Sequence, residues 1–327
     1  MRTDAPTWTY TMIVRDRPSG PRMFLLVRGS VLLQIRGVLL VNVLLATVVT
    51  LIHGNLFSHK VTLTAIPFTL IGLPLAIFLG FRNTAAYDRY WEARKLWGEL
   101  LLRCRNLTRQ CQTLIDCPEP VQPMQPGKGM ADVRVRMVYR AIAFCHALRQ
   151  QLREVGDCGE MQALLQPAEW EALTRQQGKT EALMRAMGSD LQQCRRDGRI
   201  DSVLTAQIDN TLSALVGAAA ACERIKSSPL PFSYMLLLHR TAYMYCFLLP
   251  FGLVDTIGFM TPFVVGIVAY TFFGLDALGD EIEEPFGTRP NGLPLDAICR
   301  TIEISLRESL GETNLPAPLQ PVNYCLL

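Results

Sequence analysis

Val61–Phe81, VTLTAIPFTLIGLPLAIFLGF, is 21 residues without a charge, and few folds can accommodate it. A helix rises ~1.5 Å per residue, so ~20 apolar residues cross the hydrocarbon core of a bilayer. Directly behind it the composition turns over to Arg82, Asp88, Arg89, Glu92, Arg94 and Lys95, spaced at helical intervals and interleaved with Tyr87, Tyr90, Trp91 and Trp97. Trp and Tyr favour the membrane–water interface, and an Arg/Lys excess marks the cytoplasmic side. The pattern predicts a spanning helix that leaves the membrane through an aromatic and basic collar, with Arg82, Asp88, Arg89, Trp91 and Glu92 as its structural members, and continues into water.

The rest of the composition suits a split design. Half of the 327 residues are hydrophobic, yet 19% are charged, and mean hydropathy is +0.20. A soluble protein of this size is less apolar and a bare membrane bundle carries fewer charges, so a bundle joined to a polar domain is expected. The formal net charge of +3 is too small to point to nucleic acid. Ten cysteines are scattered without a C-x-x-C pair, which reads as structural, reduced thiols rather than a metal site. No short apolar run with a small-residue cleavage site opens the chain, so no removable signal peptide is expected.

In chain order, residues 1–30 form a basic cytoplasmic segment with Arg2, Arg15, Arg17, Arg22 and Arg28. Spans one and two occupy 31–81, the first over Val31–Ile52, joined by the short loop His53–Lys60. The arginine excess on the outer flanks of this hairpin places both flanks inside and its loop outside. Residues 82–229 contain no further spanning run. Helical patterns recur there over Ala85–Ile115, Val133–Val155, Glu169–Ala186 and Asp201–Lys226, with a Pro-rich loop at Cys117–Gly129. Gly198 is expected to close one helix and Asp201 or Ser202 to cap the next. Spans three and four, Tyr234–Val254 and Gly258–Leu278, fill 230–278, with Pro250 and Gly252 as a kink. Residues 279–327 supply a last helix, Leu295–Leu310, and an extended tail. An even number of spans puts both termini in the cytoplasm. No alternating strand run is visible, so the fold class is all-α.

An enzyme is not expected. His53, His59, His146 and His239 have no metal-ligand spacing with Cys, Asp or Glu, and neither G-x-S-x-G, H-E-x-x-H nor a P-loop occurs. No cofactor is implied. The carboxylates Asp276, Asp280, Glu281, Glu283 and Glu284 read as a helix end tied by salt bridges to the basic collar rather than as a metal site. Ile66, Leu70 and Pro74 are four apart, so they drift only ~40° per step and rise ~6 Å, which stacks them along one face. On residues alone this is ordinary lipid-facing or packing surface.

Three segments together resemble the bestrophin family of ion channels, in particular its bacterial branch. They are IPFTLIGLPLAIFLGFRNTAAYDRYWEARKLWG at 66–98, SPLPFSYMLLLHRTAYMYCFLLPFGLVD at 228–255, and AYTFFGLDALGDEIEEPFG at 269–287 continuing to LPLDAICRTIE at 293–303. The resemblance covers about half of the chain. It implies four transmembrane helices per subunit plus a helical cytoplasmic domain, assembled as a homo-pentameric barrel around a central pore in the bacterial inner membrane. It further assigns Ile66, Leu70 and Pro74 to the narrow pore neck. An apolar ring of this kind gates by dewetting. The family's cytoplasmic constriction maps to Val203 or Leu204.

Two departures alter what carries over. The aromatic rings that animal members place at the second and third neck positions are replaced by Leu70 and Pro74. An aromatic edge is partly positive and can favour an anion, whereas an aliphatic side chain offers nothing. Monovalent cation permeation, of sodium, is therefore expected, with a chloride channel of the same architecture as the alternative. The acidic run after the P-F-G of calcium-binding members is absent: Thr288, Arg289, Pro290 and Asn291 follow Pro285–Gly287, so calcium activation is not expected. The competing reading is a non-conducting membrane protein with a partner-binding cytoplasmic domain. The interrupted spans in repeated halves that mark transporters are not found.

Overall fold

The structure, a computed structural model, describes residues 12–14, 20, 29–52, 55–56, 59–60, 64–117, 129–155, 159–322 and 324–326. Arg2, Arg15, Arg17, Arg22 and Arg28, most of the Cys117–Gly129 loop and much of the His53–Lys60 loop lie outside those residues. Nine α-helices dominate the described part: α1 Leu32–Leu51, α2 Ala65–Leu114, α3 Val133–Arg153, α4 Pro167–Thr174, α5 Lys179–Arg196, α6 Ser202–Ser227, α7 Phe232–Ile257, α8 Thr261–Glu283 and α9 Leu295–Ser309. Four two-residue strands accompany them, which the sequence reading did not anticipate. β1 (Met12–Ile13) pairs antiparallel with β4 (Cys325–Leu326), and β2 (Asn55–Leu56) with β3 (His59–Lys60).

The chain divides into two compact units, one formed by Arg15–Trp91 and Pro229–Pro285, the other by Met1–Val14, Glu92–Ser228 and Phe286–Leu327. In the first, α1 packs on α7 and α8, and α7 packs on α8. Its core is built from three apolar clusters, around Ile35, Cys246, Ala269 and Phe273, around Ala46, Phe68, Leu249 and Val265, and around Leu75, Leu238 and Ala242. Small residues recur at these contacts, as expected where helices must approach closely without help from water. Gly252 is a case in point, because a Cβ there would overlap the Phe68 ring. Three helical stretches are long and apolar enough to cross a membrane: Leu32–Leu51, Ile66–Leu114 and Phe232–Glu283. The last contains both α7 and α8, separated by the tight turn Gly258–Met260. α7 runs through Pro250 as one continuous helix.

In the second unit α3 is the hub, buried around nearly its whole circumference and packed on α5, α6 and α9. Asp132 opens it by accepting from the Arg134 N–H at 2.9 Å. The helix expected over Glu169–Ala186 is two helices. α4 ends at Thr174 and α5 begins at Lys179 behind Gly178. A glycine in a helix interior costs backbone entropy, which favours a break at that point. Gly198, at φ +70°, closes α5, and the Asp201 carboxylate caps α6 by accepting from the N–H groups of Val203 at 2.7 Å and Leu204 at 2.8 Å. Of the two candidate caps it is Asp201 that serves.

Candidate pore-lining site

α2 is 50 residues long, ~75 Å at 1.5 Å per residue and about twice what a bilayer core needs. Its buried positions run Phe68, Leu75, Leu79, Arg82, Ala86, in steps of seven, four, three and four that keep one stripe against the rest of the unit. Ile66, Leu70 and Pro74 stand on the opposite side, roughly 160° to 240° around the helix from Phe68. Ile66 and Leu70 are each 69% exposed, Pro74 is exposed, and Leu73, Ile77 and Phe81 extend the same apolar surface. A proline in mid-helix has no N–H to give, so the Leu70 carbonyl, four residues back, loses its usual donor.

Immediately below this face lies the collar. Arg82 is buried to 1% exposure, and its guanidinium meets Asp276 at 2.6 Å, Asp280, and Glu283 at 3.8 Å. Those three carboxylates sit at i, i+4 and i+7 on α8, hence on one helical face. His239 on α7 brings Nδ1 to 2.6 Å from the second oxygen of Asp276, and Gln34 on α1 donates to Glu281. Glu283 also accepts from the Leu230 N–H at 3.2 Å, while the Arg89 Nε donates to the Glu283 carbonyl at 3.3 Å. All four apolar helices are thus tied at one level by a charged cluster. The carboxylate run is thus a helix end salt-bridged to Arg82. Gly279 makes the close approach possible, since a Cβ there would come within 2.6 Å of Asn83 Oδ1.

The remaining collar residues do different things. Asp88 is exposed, Trp91 stacks on Tyr87 with ring centroids 6.4 Å apart, and Glu92 pairs with Arg224 at 2.7 Å in the second unit. Val203 and Leu204 occupy the first turn of α6. Val203 is 68% exposed, whereas Leu204 is half-buried, nearer the stripe that begins at Ile208. His239 and Gln34 escaped the sequence reading as partners of α8, because 37 and 247 residues separate the members of each pair. No local spacing could have shown those contacts.

These features define a helical protein built to sit in a membrane, with a charged lock at one end of its apolar helices. The family model described as "Bacterial/Fungal Bestrophin protein" matches residues 12–308. The chain belongs to the bestrophin family. It is 42% identical over 306 residues to a voltage-dependent anion channel-forming protein of Mesorhizobium japonicum, covering 92% of this chain and 93% of that one. To the voltage-dependent anion channel-forming protein YneE of Escherichia coli K12 it is 38% identical over 310 residues, 95% and 98% of the two chains. A crystal structure of a mutant bacterial bestrophin homologue from Klebsiella pneumoniae superposes with a TM-score of 0.76 at 36% identity, over 84% of this chain and 98% of that one. The sodium preference expected from the aliphatic neck finds no support in these names, which say anion.

Proposed function

We propose that the chain is the subunit of a homo-pentameric channel that passes small monovalent ions across the bacterial inner membrane, with Ile66, Leu70 and Pro74 lining its neck. The observation that carries this is the apolar face of α2. It lies opposite the stripe by which α2 packs on its own chain, so lipid or other copies of the chain must cover it. In a closed ring each position on it becomes a girdle of identical residues, and a girdle of Ile and Leu is a barrier that opens by widening and wetting. The cytoplasmic constriction falls to Val203, the more exposed of the two candidates, held in the first turn of α6 by the Asp201 cap. Four spans, α1, the first half of α2, α7 and α8, support a topology with both termini, the segment 1–30, the domain over 82–229 and the tail 279–327 in the cytoplasm.

For the permeant ion, the names of relatives covering more than nine-tenths of the chain support chloride or another small anion. A second reading, sodium, is favoured by one specific feature. The Leu70 carbonyl freed by Pro74 offers an acceptor oxygen at the neck, and the aliphatic side chains beside it offer an anion no donor. Purified protein in liposomes under a salt gradient separates the readings. A reversal potential following the chloride gradient supports anion conduction, one following sodium supports the second reading, and pentamers without flux overturn both. Shrinking Ile66 or Leu70 to Ala in assembled pentamers should raise conductance or open time, and unchanged currents would remove those residues from the neck.

A further inference from the structure

In the second unit lies a cavity of about 300 Å³ lined by Tyr139 and His146 of α3, Glu160 of the turn that follows, and Arg300, Glu303 and Arg307 of α9, with Ala163 and Leu164 between. Most of its charges are already engaged. Arg149 donates to Glu160, Arg307 donates to Glu303 at 2.9 Å and to Glu312 at 2.8 Å, and the Tyr139 hydroxyl donates to Glu312 at 2.5 Å. Two groups are left over. Arg300 approaches Glu303 only at 3.8 Å, outside hydrogen-bond distance. His146 is 2% exposed; its Nδ1 stands 3.2 Å from a Glu160 oxygen, and its Nε2 has no hydrogen-bond partner. A buried imidazole with Nε2 unused is a standing cost unless something completes it.

We propose that this cavity binds a small zwitterion of amino-acid size, its carboxylate on Arg300 and its ammonium between Glu160 and Glu303 beside His146. The lining carries two cations and two anions, so a bare anion meets two carboxylates and a bare cation meets Arg300. An apolar molecule leaves the guanidinium and the imidazole unsatisfied. Only a ligand with both charges, held apart, matches every wall. The imidazole fits the same scheme. In the neutral ring one nitrogen donates and the other accepts. With its proton on Nδ1, towards Glu160, Nε2 is an acceptor for an ammonium N–H.

The test is isothermal titration of the full-length protein in detergent with glycine, L-serine and L-glutamine, and with acetate and methylammonium as the two halves alone. At least one amino acid should bind, and neither half should match it. Arg300→Gln should weaken binding about tenfold or more, the value of a lost charge-assisted hydrogen bond, with an unchanged size-exclusion profile. His146→Asn should weaken it as well; if that variant misfolds, Arg300→Gln decides alone. No binding of any of the three amino acids, equal binding of acetate or methylammonium, or unaltered binding by Arg300→Gln would overturn the proposal. The measurement needs no ion flux, so its failure leaves the channel reading standing.

Discussion

α2 carries the same burial rhythm through both of its halves but opposite chemistry on the other side. In the upper half the stripe is Phe68, Leu75, Leu79 and Arg82, and the outward face is Ile66, Leu70, Leu73 and Ile77. In the lower half the stripe continues as Ala93, Trp97, Leu100, Cys104, Leu107 and Cys111, while the outward positions include Arg94, Lys95, Arg105 and Arg109. One helix thus packs by one geometric rule beneath two kinds of outward surface, one apolar and one basic. The spacing fixes which side meets the rest of the chain; the outward composition reports what lies beyond. The inversion also reaches the charges. The upper half buries a single arginine among three carboxylates, whereas Arg103 in the lower half makes an ordinary i, i+4 pair with Glu99, both well exposed.

The largest expected effect tests that last contrast. Arg82→Ala leaves Asp276 and Glu283 buried without their cation, and breaking a buried pair of this kind costs about 3–5 kcal/mol. Arg103→Ala should change stability by no more than about 0.5 kcal/mol, as exposed helix pairs do. Thermal unfolding of the two variants in detergent gives the comparison, and equal losses would remove the distinction between the halves. Next in size is a matched pair of cavities. Leu100→Ala and Leu79→Ala delete the same atoms at fully buried sites. Leu100→Ala should cost about 2–5 kcal/mol. Leu79→Ala should cost less in a bilayer, since lipid is as apolar as leucine and only packing is lost. A larger loss at Leu79 than at Leu100, measured by denaturation in bicelles, would break the contrast between the halves.

The smallest effect is a pH dependence confined to the second unit. The His146 ring and the Arg149 guanidinium hold the Glu160 carboxyl down at about 2, against an ordinary value of 4.5. A carboxyl lowered in the folded state contributes stability that is complete above its unfolded value and disappears as pH falls through the folded one. The contribution should therefore be constant from pH 7 to about 5 and decline between ~4.5 and ~2. Glu160→Gln should flatten the stability curve in that acid window and leave its slope near neutrality unchanged. An altered slope between pH 6 and 8 would assign the titration to another group.

Much of the fold was legible before any coordinates. Val31–Ile52 became α1 and Leu295–Leu310 became α9 within a residue at each end, and Val133–Val155 became α3 within two, because length, apolar runs and capping residues act locally. The start of α2 at Ala65 rather than Val61, and the division of Glu169–Ala186 at Gly178, show how far local signals reach at helix ends. The face holding Ile66, Leu70 and Pro74 could be drawn from spacing, but whether it was buried or exposed could not.

By itself, then, the sequence determined that this is a helical membrane protein with a long helix passing through an aromatic and basic collar, since hydropathy and helical period depend only on which residues stand near one another along the chain. Tertiary structure alone decided what that collar does. It set Arg82 against Asp276, Asp280 and Glu283, brought His239 and Gln34 to the same level, turned Ile66 and Leu70 away from their own chain, and left His146 beside an open cavity. Those pairings join residues tens to hundreds of positions apart. Which of several carboxylates an arginine meets is set by the packing of whole helices, through close contacts such as that at Gly279, and no local spacing encodes it.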